Sequence, residues 1–267
     1  MRHRLAQRHV TARAIRYGWH LLPRPGIALQ RARLMFWNKL THLGDTSLMA
    51  PAAILICLWL LLAQRRRLLL WWGVLLTSAA ILVSLTKIAF IGWGIGSEAL
   101  DFTGISGHTT FATLMWPTIA FLLLQRAPRW LCALGVLGGL WLGLLVGVSR
   151  VTLGMHSPVE AVSGWLLGAG TSLSFISIAA STHLIALRRW LMACSFLVLT
   201  GAGFLHSAPT QYWLIQVALY LSGHERPFER GDWQKTPSEI CCNNTVAQST
   251  GFRQTEIHGC VIHRTVC

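Results

Sequence analysis

Two short strings gather side chains that can move protons and hold an anion: Ser106-Gly107-His108, and Ser149-Arg150 followed at some distance by His156 and Glu160. Two histidines, an arginine, a carboxylate and hydroxyls beside apolar segments can supply a nucleophile, a general acid and an anion cradle, the parts that phosphoryl transfer requires. His108 follows Ser106 and Gly107 at the start of an apolar stretch, so the backbone N–H groups freed at a helix start would face an anion there. Gly107 lets an anion oxygen approach the backbone closely. His108 can then protonate a leaving oxygen. Taken alone, the tripeptide reads more readily as an ordinary serine cap beside an interfacial histidine, and the second string shifts that balance.

In the second string Arg150 offers a planar fork for two anion oxygens, and Lys87 adds a point charge. Isolated, each also reads as a cation snorkelling at a membrane interface. His156 and Glu160 are four residues apart, so in one helical turn the carboxylate can hold one ring nitrogen and leave the other free to attack phosphorus. Ser157-Pro158-Val159-Glu160 is at the same time a capping box, with proline at its favoured first helical position. Both roles remain open for Glu160.

The surrounding composition decides what positions these residues. The chain has 267 residues, 53% hydrophobic and only 12% charged, with 13 Trp and a mean hydropathy of +0.50, values that suit a surface facing lipid. Apolar stretches near the ~20 residues that cross a bilayer run close to Ser47–Ala63, Leu68–Thr86, Thr109–Leu124, Trp130–Val148, Val159–Ser181 and Trp190–Leu205. In lipid such spans must be helices, because lone strands leave backbone groups unpaired. The expected fold is an all-α polytopic membrane protein, a six-transmembrane-helix bundle.

The net charge of +14 arises from 23 Lys and Arg against 9 Asp and Glu. The basic residues flank apolar spans and form no separate soluble domain, which argues against nucleic acid as a partner and for an anionic bilayer. Arg65, Arg66 and Arg67, then Arg126 and Arg129, then Arg188 and Arg189 occupy the short turns between spans, which the positive-inside rule places in the cytoplasm. The opposite connections, 87–108 and 149–158, fall on the outer face with both chemical strings.

Residues 1–46 form a basic N-terminal segment. Within it Gly26–Leu40, with Leu34, Met35, Phe36 and Trp37 beside Arg31, Arg33 and Lys39, reads either as an interfacial helix or as a tail. Residues 47–205 are the six-helix domain, and 206–267 hold a short interfacial or capping helix at Gln211–Leu221 and a polar tail. Cys57, Cys132 and Cys194 lie in spans as small hydrophobes, whereas Cys241, Cys242, Cys260 and Cys267 lie in the tail, where an outer location would permit disulfides. His258 and His263 match no zinc spacing, and Asn243-Asn244-Thr245 has the form of a glycosylation sequon.

Lys87, Ser106-Gly107-His108 and Ser149-Arg150 with His156 and Glu160, in that order, resemble the three motifs of the type 2 phosphatidic acid phosphatase family. The resemblance covers about Lys87 to Ala161 and the spans around it. It implies a six-helix bundle with the site on the outer face of a bacterial plasma membrane, His156 as the residue that forms a phosphohistidine, His108 as the acid, and Lys87, Ser106, Gly107 and Arg150 as phosphate ligands. It implies no metal and no cofactor, and a membrane lipid phosphate or pyrophosphate as substrate. The alternatives are phosphotransfer from a polyprenyl pyrophosphate donor to another lipid, and a non-catalytic lipid-binding protein of the same fold. The sequence departs from the family pattern twice. Gly94 and Ile95 stand where the first motif has Arg-Pro, and Glu160 replaces the usual Asp. Glu98 and Asp101 add negative charge in that same loop unless another cation faces them.

Overall fold

A computed structural model describes residues 25–182, 195, 197–198, 201 and 210–234. In chain order the helices are α1 (Pro25–Thr41), α2 (Thr46–Leu62), α3 (Arg66–Trp93), α4 (Gly107–Leu124), α5 (Arg129–Thr152), α6 (Pro158–Ala180) and α7 (Thr210–Ser222). Short 3-10 turns lie at His42–Gly44 and Arg230–Gln234. Among the described residues there is no strand, only an isolated antiparallel pairing of Ser97 with Phe102.

Among the described residues five helical stretches are long and apolar enough to cross a membrane, the first running through α1 and α2 as Gln30–Leu62 and the others being α3 to α6. The protein is an all-α, multi-pass membrane protein. Of the sixth expected span, only Ser195, Leu197, Val198 and Gly201 are described, all helical. The cysteine-bearing tail, with Cys241, Cys242, Cys260, Cys267, the sequon and the two tail histidines, lies outside the described residues, as do Cys194 and residues 1–24.

Span ends differ from the sequence expectation where they matter most. α3 continues to Trp93, so Lys87 sits inside a helix rather than at its tip, and α4 begins at Gly107, which brings Gly107 and His108 into its first turn. Hydropathy averages blur such ends because polar residues at a functional helix terminus lower the window score.

α4 lies along both α5 and α6 and is the most enclosed of the described spans. Its Thr110, Thr113 and Thr118 are fully buried, yet each hydroxyl donates to the carbonyl four residues earlier, at 2.7–2.9 Å. This lets hydroxyls sit inside an apolar bundle without unmet hydrogen bonds. Facing them, Gly139, Gly143 and Gly147 make a stripe along α5, and Gly164 and Gly168 do so along α6. A Cβ at Gly143 would run into the Thr113 side chain, one at Gly164 would come to 2.7 Å from Ser106 O, and one at Gly168 to 2.5 Å from Thr110 O. Small residues at one face let membrane helices approach backbone to backbone. The three helices that carry His108, Arg150 and Glu160 are thus held at close range.

The apolar core lies away from the site. Trp72 and Phe175 meet edge to face at 5.1 Å beside buried Ile56, Leu60, Leu114 and Leu122. On the outer side, Leu70, Val74, Ile81 and Leu85 of α3 and Trp130, Leu134, Leu137 and Trp141 of α5 are exposed. Such apolar stripes suit contact with acyl chains.

Candidate active site

At the end of the bundle away from the basic turns, the helix termini surround a cavity of about 830 Å³. Lys87 of α3, Gly107 and His108 of α4, Arg150 of α5 and His156 all line it. Residues separated by almost seventy positions in sequence therefore share one space. Val83, Phe90, Ile91 and Phe111 contribute an apolar wall, and Trp213 and Ile215 of α7 add to it.

Glu160 is buried, and His156 Nδ1 lies 2.6 Å from its Oε2. With the carboxylate accepting from Nδ1–H, the lone pair of the ring sits on Nε2. The capping box is also formed: Ser157 Oγ accepts from Glu160 N at 3.3 Å, and Ser157 N donates to Glu160 Oε2 at 3.2 Å. The two readings of Glu160 are compatible because one carboxylate oxygen serves both. Its other oxygen, Oε1, accepts from Thr103 N and Thr103 Oγ1, each at 2.6 Å. Burial pushes the His156 imidazole below its ordinary value, while the Glu160 bond opposes this and nearby Lys87 reinforces it.

Arg150 reaches Thr41 Oγ1 through Nη1 at 3.4 Å, and its buried Nε has no hydrogen-bond partner. Lys87 has no hydrogen-bond partner among the described residues. A buried donor without a partner is costly, so Arg150 suits an anion arriving in the cavity, and Lys87, half-buried on the same wall, can add its charge. At the start of α4, no side chain caps the free N–H groups of Gly107 and His108. A Cβ at Gly107 would meet Val83 only at an ordinary 3.5 Å. Nothing in the protein itself requires glycine there, and the residue lines the cavity.

Ser106 departs from the sequence expectation. It is fully buried, its hydroxyl pairs with Thr109 Oγ1 at 3.0 Å, and it does not line the cavity. Its backbone N donates to Glu160 O at 3.1 Å, which ties the start of α4 to the start of α6. A serine immediately before a helix reads as an anion ligand from sequence, but the buried threonine beside it offers a nearer partner.

Sequence reasoning missed Arg230 and Thr103. Arg230 Nη2 lies 2.7 Å from Glu160 Oε2, and Nη1 lies 2.5 Å from Asp101 Oδ2. The negative charge of the 94–106 loop thus does face a cation, one supplied from beyond α7. The departure at Gly94 has a counterpart in space: Gly94 ends α3 in the left-handed conformation, φ +67°, and a Cβ there would come 2.9 Å from the Phe228 ring. The signal available in sequence was negative, an unfilled cation position beside two unpaired acids.

Among the described residues no group of three or more His, Cys, Asp or Glu is arranged to hold a metal ion. The arrangement can hold an anion between Lys87, Arg150 and the α4 N-terminus, present an imidazole nitrogen to it and offer a second imidazole for proton transfer.

Fold and cavity together define a helical membrane protein with a pocket at one end of its bundle lined by two histidines, a lysine and an arginine. The chain belongs to the PAP2 superfamily, whose pattern matches residues 94–183. It is 35% identical over 209 residues to an "Uncharacterized 22.5 kDa protein in cps region" of Klebsiella pneumoniae, covering 75% of this chain and 99% of that one. It is also 37% identical over 78 residues to an "Undecaprenyl-diphosphatase" of Sulfolobus acidocaldarius, covering 29% of this chain and 33% of that protein. No solved structure gives a significant match.

Proposed function

We propose that the protein is an integral-membrane phosphatase that hydrolyses a lipid phosphate or pyrophosphate at the outer face of a bacterial plasma membrane through a phosphohistidine. The observation that carries this reading is His156, held at Nδ1 by Glu160 at 2.6 Å, on the wall of a cavity shared with Lys87, His108 and Arg150. Superfamily membership and the similarity to a diphosphatase support a phosphatase. A cavity with a cationic end and an apolar wall suits a substrate with a phosphate head and a hydrocarbon body.

His156 Nε2 attacks phosphorus, forming an N–P bond as the P–O bond to the leaving group breaks. Protonated His108 gives its proton to the departing oxygen. Lys87, Arg150 and the N–H groups of Gly107 and His108 hold the equatorial oxygens as charge spreads over them. Water then attacks phosphorus and gives a proton to His108, the N–P bond breaks, and its electron pair returns to Nε2. Inorganic phosphate leaves and both histidines are restored. The basic turns 64–67 and 125–129 lie at the opposite ends of α3, α4 and α5 from the cavity, which supports an outer-face site under the positive-inside rule.

The test is phosphate release by the purified protein from a polyprenyl pyrophosphate, phosphatidic acid and phosphatidylglycerol phosphate, with His156→Ala alongside. Release by the wild type, with an acid-labile phosphoenzyme lost in the variant, is expected. Undiminished hydrolysis by His156→Ala would sink the mechanism. Mass spectrometry of the lipid products separates hydrolysis from transfer: a phosphorylated lipid acceptor, in place of free phosphate, would mark a transferase.

A further inference from the structure

We propose that Arg230, carried by the segment that follows α7, is a positioning residue that holds the Glu160 carboxylate for His156, which makes this C-terminal strap a working part of the site. The proposal rests on the phosphohistidine reading above.

Glu160 is fully buried, and its Oε2 is shared by His156 Nδ1 at 2.6 Å and Arg230 Nη2 at 2.7 Å. A buried carboxylate needs a compensating charge. Without Arg230, the nearest group able to supply one is the imidazole itself, which would do so by holding a second proton. An imidazolium has no lone pair on Nε2 and cannot attack phosphorus. With the guanidinium on the same oxygen, the carboxylate is already balanced, and His156 can keep its Nδ1–H bond while staying neutral. Arg230 thereby separates two tasks that would otherwise compete, orienting the ring and keeping it nucleophilic.

The strap is built to deliver this group. Phe228 N donates to Ile91 O at 2.8 Å, its ring meets Phe90 edge to face at 5.7 Å, and Trp233 meets the same ring at 5.2 Å. Buried Asp232 accepts from Glu229 N at 2.9 Å and from Arg226 at 3.3 Å, which fixes the turn that bears Arg230. Asp101 holds the far side of the guanidinium from a left-handed backbone position, φ +48°. Glycine at 94 is what lets Phe228 lie where it does. The charged groups around the His156 ring are then Lys87 from α3, Arg150 from α5, Glu160 from α6 and Arg230 from the strap, and Glu229 of the strap lines the same cavity. His108 faces it from α4, Asp101 stands behind Arg230, and Asp45 faces His108 and Arg150.

The experiment compares wild type, Arg230→Gln and Arg230→Lys in full-length purified protein. It uses kcat and KM for a polyprenyl pyrophosphate from pH 4.5 to 9, and a ¹⁵N-histidine NMR titration in which His156→Gln assigns the signal. Removing the cation should move the acid limb of kcat, and the His156 titration with it, upward by about one pH unit, a roughly tenfold loss of kcat on that limb. KM should change less than kcat. Lysine keeps the charge, so its acid limb should stay within about half a unit of wild type, and this arm stands if glutamine unfolds the strap. An acid limb unmoved by glutamine, or moved with lysine present, overturns the proposal. The NMR shift reads Arg230 without turnover, so an inactive wild type with the shift intact would refute the phosphatase reading and leave the Arg230–Glu160–His156 coupling standing.

Discussion

His156 Nδ1 and Glu160 Oε2 are 2.6 Å apart, and that same oxygen accepts the Ser157 N–H that begins α6. The imidazole is therefore oriented by the cap of the helix that follows it. Its position is fixed by backbone geometry as much as by side-chain packing, and a change at Glu160 acts on both.

Replacing Glu160 with Gln keeps the side chain's length but removes the charge that fixes the tautomer and offsets positive charge on the ring. Turnover should fall by about 10²–10⁴-fold, the range seen when a histidine's orienting or proton-transfer partner is lost. Rapid-quench measurement of phosphoenzyme formation in a single turnover checks this. A variant that labels at the wild-type rate would show that the carboxylate serves only the cap.

The His156 imidazole is depressed chiefly by burial, so it remains neutral, and able to attack, below the ordinary histidine value of about 6.5. The acid limb of kcat/KM should accordingly lie below that pH. For stability the unfolded chain takes up this proton first, so acid weakens the folded protein from about pH 6.5 downward until the folded group also titrates. A pH–rate profile and thermal unfolding at pH 5 and 7 test both statements, and an acid limb at or above 6.5 contradicts the first.

His108 is assigned to the leaving oxygen, which makes its importance depend on how good that leaving group is. His108→Gln should lower the rate with a lipid phosphate monoester by about 10²–10⁴-fold. With p-nitrophenyl phosphate, whose leaving group scarcely needs a proton, the loss should be much smaller. Equal losses on the two substrates would remove His108 from the acid role.

A Cβ on Gly143 would collide with the Thr113 side chain, whereas one on Gly138 meets nothing within 4 Å. Gly143→Ala should destabilise the bundle by about 1–3 kcal/mol and spread Arg150 from His108, while Gly138→Ala should leave both stability and activity unchanged. Thermal unfolding in detergent, read beside phosphate release, distinguishes the two positions.

Much of the candidate site's cavity lining was legible because Gly107, His108, Arg150 and His156 sit at or beside helix termini, where polar and apolar sequence meet. The histidines, Arg150 and the capping box each stand out against apolar neighbours, and hydropathy alone brings their ends of the helices together. Ser106 misled because burial cannot be read locally: its hydroxyl turns to Thr109, and its place is set by Glu160 O across a helix interface. Arg230 was hidden for a different reason. It comes from a polar segment with no periodicity, and its partners lie 70 and 129 positions away in sequence, so only the folded chain pairs them. Glycine stripes on α5 and α6 were present in sequence as composition, but which helix they admit is a matter of tertiary packing.

The strap also has a consequence in time. Synthesis runs from the N-terminus, so both histidines, Lys87 and Arg150 are translated before Arg230. The guanidinium that shares the Glu160 carboxylate belongs to a part of the chain synthesised only after α7. If His156 is the nucleophile, a polypeptide halted or cleaved before Arg230 would hold Glu160 without the guanidinium that shares its Oε2, and competence would arrive with the strap and not with insertion of the helices.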